Sequence, residues 1–143
     1  MARSLPRRAD RDLRGAAVTK IYHIISAAAL TEARARGEYR PDSLAREGFI
    51  HFSQKHQILS VANAFYRGQA GLVILVVAPE RLRAALRCEP PVHPAGAAAS
   101  AALPAAESLF PHLYGALNLD AVTEIIHFPA NPDGSFSLPP ELE

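Results

Sequence analysis

A chain of 143 residues, 49% hydrophobic and 20% charged, suits one globular domain burying roughly 68–70% of its unfolded surface, which excludes disorder along its whole length. No apolar run approaches the ~20 residues of a membrane-spanning helix, and no apolar stretch follows the basic N-terminus as in a secretory signal, so no membrane partner is expected. The net charge of +1 conceals a division: residues 1–17 carry Arg3, Arg7, Arg8, Arg11 and Arg14 against Asp10 and Asp12, leaving ten basic and twelve acidic residues in the body, so nucleic acid is not expected as a partner except through this tail.

Residues 1–18 read as a basic flexible tail, 19–129 as a single domain and 130–143 as a C-terminal tail. Lys20–Ile25 (KIYHII) is a β-branched apolar run and predicts a strand. Ser26 suits the N-cap of a helix over Ala27–Arg36 that Gly37 ends. Tyr39–Leu44, with Pro41, reads as a turn and a partial helical turn. Phe49–Ser53 (FIHFS) predicts a second strand, with Ser53 as N-cap of a helix over Gln54–Tyr66 whose stripe is Ile58, Val61, Ala62 and Phe65.

The aliphatic run Leu72–Ala78 predicts a central strand buried on both faces. Pro79–Leu82 reads as a short helical turn and Leu86–Glu89 as another strand. Residues 90–106 are an Ala/Pro-rich segment read as a surface loop. Phe110–Gly115 (FPHLYG) reads as a compact polar-aromatic loop, Thr123–Phe128 as the last strand, Asn131–Gly134 as a turn and the ending at Pro139–Pro140 as irregular. Together these predict an α+β domain: a compact mixed or antiparallel sheet with flanking short helices. The single cysteine, Cys88, reads as structural and fits a cytoplasmic setting.

Two histidines stand in apolar strands. Alternation puts His23 on a face with Ile21 and Ile25, and His51 with Phe49 and Ser53. A buried imidazole needs hydrogen-bond partners, so either histidine alone is consistent with a satisfied core residue. Two in similar settings point to a cleft, where neutral imidazole offers one donor and one acceptor for ligand recognition or proton transfer. If Pro111–Gly115 is extended, His112 and Tyr114 project to one side, with Gly115 allowing a sharp exit. His56, His93 and His127 sit less favourably. The spacing of paired metal ligands is missing, and so are the G-x-S-x-G elbow, the G-x-G-x-x-G fingerprint and the P-loop; no metal is expected.

The segments IYHI (Ile21–Ile24), GEYRPDSL (Gly37–Leu44), EGFIHFS (Glu47–Ser53) with Gln57, Asn63 and Phe65, and FPHLYG with LDAV resemble the bacterial domain of unknown function family 952, over roughly residues 20–128. That resemblance implies a fold similar to ADP-ribosyltransferases and RNA 2′-phosphotransferases, which work on NAD or an ADP-ribosylated intermediate. It implies NAD, ADP-ribose or a related nucleotide as ligand and group transfer as the activity. Tyr22–His23 matches a first-strand pair that binds ribose, and His51 matches a second-strand residue beside the nicotinamide. Where those transferases place glycine and a hydroxyl residue after the histidine, this chain has Ile24 and Ile25. Their catalytic glutamate falls on Glu107, Glu89 or Glu124. The resemblance therefore implies His51, His23 and Glu107 as catalytic residues, and His23, His51, Ser53, His112, Tyr114 and Tyr22 as ligand-binding ones. The alternative is a non-catalytic module that keeps the cleft without the chemistry.

Overall fold

The computed structural model describes residues 20–90 and 109–142. Glu107, His93 and nearly all of the Ala/Pro-rich segment lie outside the described residues. The architecture is α+β, with antiparallel sheets and a few short helices.

Strand β1 (Ile21–Ser26) runs directly into helix α1 (Ala27–Arg36). Ser26 makes the transition possible: its backbone is still extended while its Oγ accepts from the Ala29 amide at 3.0 Å. Gly37 ends the helix at φ +89°, a left-handed conformation that costs glycine little, and its N–H returns to the Ala33 carbonyl. The next elements are β2 (Glu38–Tyr39), α2 (Asp42–Glu47) and β3 (Ile50–His51). Beyond them lie α3 (Ile58–Phe65), β4 (Leu72–Val77), β5 (Ala85–Glu89), β6 (Phe110–Tyr114), β7 (Leu117–Asn118) and β8 (Val122–His127).

β4 is the centre of the sheet β1-β4-β8, and all six of its residues are buried, as a continuous aliphatic run requires. A second sheet has the order β3-β6-β5, and β2 pairs with β7. One core fills the space between the two larger sheets: Ile21, Ile25, Val73 and Leu75 meet Ile50, Phe52, Leu86 and Leu113. The other covers the opposite face of β1-β4-β8, where Ile24, Ile74 and Ile126 pack under Ile58 and Ala62 of α3. Among the described residues the sheets share one backbone bridge: the Tyr22 amide donates to the Ser53 carbonyl at 2.9 Å and Ser53 returns the bond at 2.7 Å.

Four expectations need correction. The strand at Phe49–Ser53 is reduced to Ile50–His51 plus the bridge at Ser53. Ser53 does not cap a helix, because its backbone is committed to Tyr22; Gln54 caps a 3-10 turn at Lys55–Gln57 instead, in a reciprocal box with Gln57, and α3 follows. Phe65 is 54% exposed rather than part of the stripe.

The Phe110–Gly115 segment is no loop but β6, the central strand of its sheet. Pro111 is tolerated there because β3 has run out beside it. The Phe52 amide donates to the Pro111 carbonyl at 2.9 Å, while the missing Pro111 N–H falls on that same side, beyond the last β3 pair. Gly115 serves close approach: a Cβ there would lie 2.7 Å from that of Ala84. The C-terminal stretch is irregular yet packed, with Phe136 stacked on Phe128 at 4.8 Å and Leu142 buried.

Candidate functional site

A cleft of about 500 Å³ opens where the edges of β1 and β3 meet. β1 contributes Tyr22, His23 and Ile24; the β3 segment contributes His51, Phe52 and Ser53. β2 supplies Tyr39 and α2 supplies Asp42, Arg46 and Glu47, while α3 supplies Val61 and Phe65. β6 adds Phe110 and His112. Of the residues expected from the sequence, His23, His51, His112, Ser53 and Tyr22 thus line one cavity. Tyr114 does not line it, and Glu107 lies outside the described residues.

His23 is held at both ring nitrogens. Nδ1 lies 2.6 Å from the backbone carbonyl of His51, and Nε2 lies 3.1 Å from the Tyr39 hydroxyl. Burial drives the imidazole pKa down to about 4, against the raising effect of the His51 carbonyl, so the ring is neutral near pH 7. A carbonyl can only accept, so Nδ1 carries the hydrogen and Nε2 accepts from Tyr39. Burial also pushes the Tyr39 hydroxyl up to about 12, which keeps it a donor. His23 consequently reaches the cleft through the Tyr39 oxygen.

Ile50 and Leu113 pair across the ladder and face the core, which turns their neighbours His51 and His112 together onto the other face. The two rings are 5.5 Å apart, edge on. Each has its own carboxylate. His51 Nε2 donates to Glu47 Oε1 at 2.6 Å, and His112 Nδ1 donates to Glu89 Oε1 at 2.8 Å.

Phe49 stacks on His112 at 4.1 Å, and the His112 ring lines the cleft with 1% of it exposed. Burial lowers the His112 pKa, opposed by the hydrogen bond to Glu89. Burial would raise the Glu89 carboxyl, but hydrogen bonds from Tyr114 and His112 outweigh it and hold the group below the ordinary carboxylate range.

Tyr114 lies on the outer surface, where its hydroxyl donates to Glu89 Oε1 at 2.6 Å, a bond that raises its own pKa. Extended β6 therefore does place His112 and Tyr114 on one side, joined through Glu89. Glu124 sits exposed on β8 and raises the Tyr22 pKa further after burial has done so. Among the described residues no group of three or more His, Cys, Asp or Glu side chains is arranged to hold a metal, and no helix is long and apolar enough to cross a membrane.

Sequence reasoning missed Tyr39 and Glu47 as site residues. Tyr39 acts from 16 positions away in a two-residue strand, which no local pattern signals. Glu47 stands four residues before His51, the spacing of a helical pair, although the chain between them is a turn and not a helix.

A family model described as "Protein of unknown function (DUF952)" matches residues 24–125. Among solved structures, the chain is similar to the crystal structure of protein CC0527 from Caulobacter crescentus, at 33% identity and a TM-score of 0.69, covering 87% of this chain and 98% of that one. A crystal structure of a double-methionine variant of CC0527 aligns at 32% identity and the same TM-score and coverage. The solution NMR structure of CC0527 aligns at 30% identity and a TM-score of 0.59, over 83% and 92% of the two chains. No curated protein matches.

Proposed function

The chain belongs to the DUF952 family, and from that premise we propose that it binds NAD, ADP-ribose or a related nucleotide in the cleft between its sheets and transfers a group from it. The observation that carries this reading is the convergence of His23, His51 and His112, from three separate strands, on one cavity of about 500 Å³. That volume lies within the ~300–1,000 Å³ of small-ligand sites, and the lining combines aromatic surface with a few placed polar groups.

Bound NAD supplies an ADP-ribosyl group on a nicotinamide leaving group. His51, oriented by Glu47, takes the proton of an acceptor hydroxyl or amine as that atom bonds to the ribose carbon. The bond to nicotinamide breaks and its electron pair neutralises the ring nitrogen. Glu47 takes the place expected of Glu107 in assisting this step. His23 positions the Tyr39 hydroxyl, and Ser53 and Tyr22 line the same cleft. Half-buried Cys88 supports a cytoplasmic setting.

Titration with ADP-ribose should raise the melting temperature, and His23→Ala should abolish the shift; no shift with NAD or ADP-ribose at millimolar concentration would sink the proposal. A second reading, a binding module without turnover, is favoured by Ile24, which stands buried on the cleft wall where the transferases need glycine. Saturable binding without nicotinamide release in the presence of candidate acceptors would select it.

A further inference from the structure

The buried polar groups of the cleft are incompletely used. His112 commits Nδ1 to Glu89, and among the described residues its Nε2 has no hydrogen-bond partner, although the side chain is 1% exposed. Ser53 is 6% exposed and pairs through its backbone, while its Oγ has no partner among the described residues. Buried groups left in this state are rare in folded proteins and call for an occupant.

The chemistry of that occupant follows from the hydrogens already placed. The Glu89 carboxylate fixes the His112 hydrogen on Nδ1, so in the neutral ring Nε2 is a lone pair that can only accept. The Tyr39 oxygen has given its hydrogen to His23, and it too presents lone pairs. Glu47 uses one carboxylate oxygen on His51 and keeps the other as an acceptor. Among the described lining residues, Arg46 is the one fixed cation, set against Asp42 and Glu47. With acceptors outnumbering that cation, the cleft favours a ligand's hydroxyls over its phosphate oxygens.

We propose that His112 Nε2 is a ligand-binding atom of the cleft and that, with the Tyr39 and Glu47 oxygens, it recognises the hydroxyls of a sugar carried on a ligand that presents no phosphate there. This rests on the nucleotide reading above and narrows it: the ribose end enters the cleft, and the diphosphate stays outside.

Calorimetric titration of the full chain with three probes tests the assignment. ADP-ribose tests the nucleotide reading, nicotinamide riboside offers sugar hydroxyls without phosphate, and inorganic pyrophosphate offers phosphate without hydroxyls. The expected result is binding of the first two, none of the third, and a roughly tenfold loss of nicotinamide riboside affinity in His112→Phe. Because that variant alters a strand interior, imidazole nitrogen NMR of the unaltered protein supplies a second readout. The His112 Nε2 resonance should have the shift of an unprotonated nitrogen and move towards the protonated position when nicotinamide riboside binds. Binding of ADP-ribose with an unmoved Nε2 resonance, or with pyrophosphate competing equally, overturns the assignment and leaves the nucleotide reading standing. Binding of none of the three overturns both.

Discussion

At the scale of single residues, the cleft is governed by where protons sit. His23 has its one hydrogen on the His51 carbonyl and its one lone pair filled by Tyr39, so a proton has no place to go without breaking a bond. The consequence for stability has a definite sign. With a folded pKa of about 4 against 6.5 in the unfolded chain, the unfolded state takes up the proton first as pH falls. Stability is complete above about pH 6.5 and is lost progressively towards pH 4, by at most about 3 kcal/mol for this half-buried ring. His112, also lowered, adds a slope of the same sign. Urea unfolding midpoints measured from pH 7 to 4 should therefore fall for the native chain and flatten in His23→Gln. An equally steep fall in that variant would refute the assignment. The sequence marked His23, His51 and His112 because each is a polar ring in an apolar or aromatic setting. It did not mark Tyr39 or Glu47, because their roles depend on chain segments that meet only in the fold.

At the scale of elements, local chemistry was legible and pairing was not. Ser26 and Gly37 bound α1 as expected because a cap and a left-handed stop are decided within a few residues. Replacing Ser26 by alanine should cost about 1 kcal/mol, measured by denaturant unfolding, since the Ala29 amide loses its acceptor. The β4 run was equally plain, since six consecutive aliphatic residues suit only a strand covered on both sides. β6 was misread because a proline argues against a central strand, and only knowledge of where β3 ends removes the objection. The residue that follows this strand carries a sharp steric test. Gly115→Ala should destabilise the protein by about 1–3 kcal/mol through overpacking on Ala84, and Ala84→Gly in the same chain should recover most of the loss. Absence of recovery would mean that the strain lies elsewhere.

For the whole molecule, the α+β class followed from strands outnumbering long helices, whereas the division into two cores on either side of β1-β4-β8 had no signature in the chain. The C-terminal stretch, polar and proline-rich to the eye, closes the second core with Phe136 and Leu142. Phe136→Ala should cost about 3–5 kcal/mol in urea unfolding, an effect far beyond that of a solvated tail residue. Among the described residues, the two larger sheets share one backbone bridge, Tyr22–Ser53, made of two amide hydrogen bonds in the lining of the cleft. Its Tyr22 and Ser53 amides should exchange with solvent deuterium faster than the amides of β4, a strand laddered on both sides. A ligand that fills the cleft braces both sheets at once, so the slowing of exchange at those two amides would report occupancy from the backbone, with no need of a chemical assay.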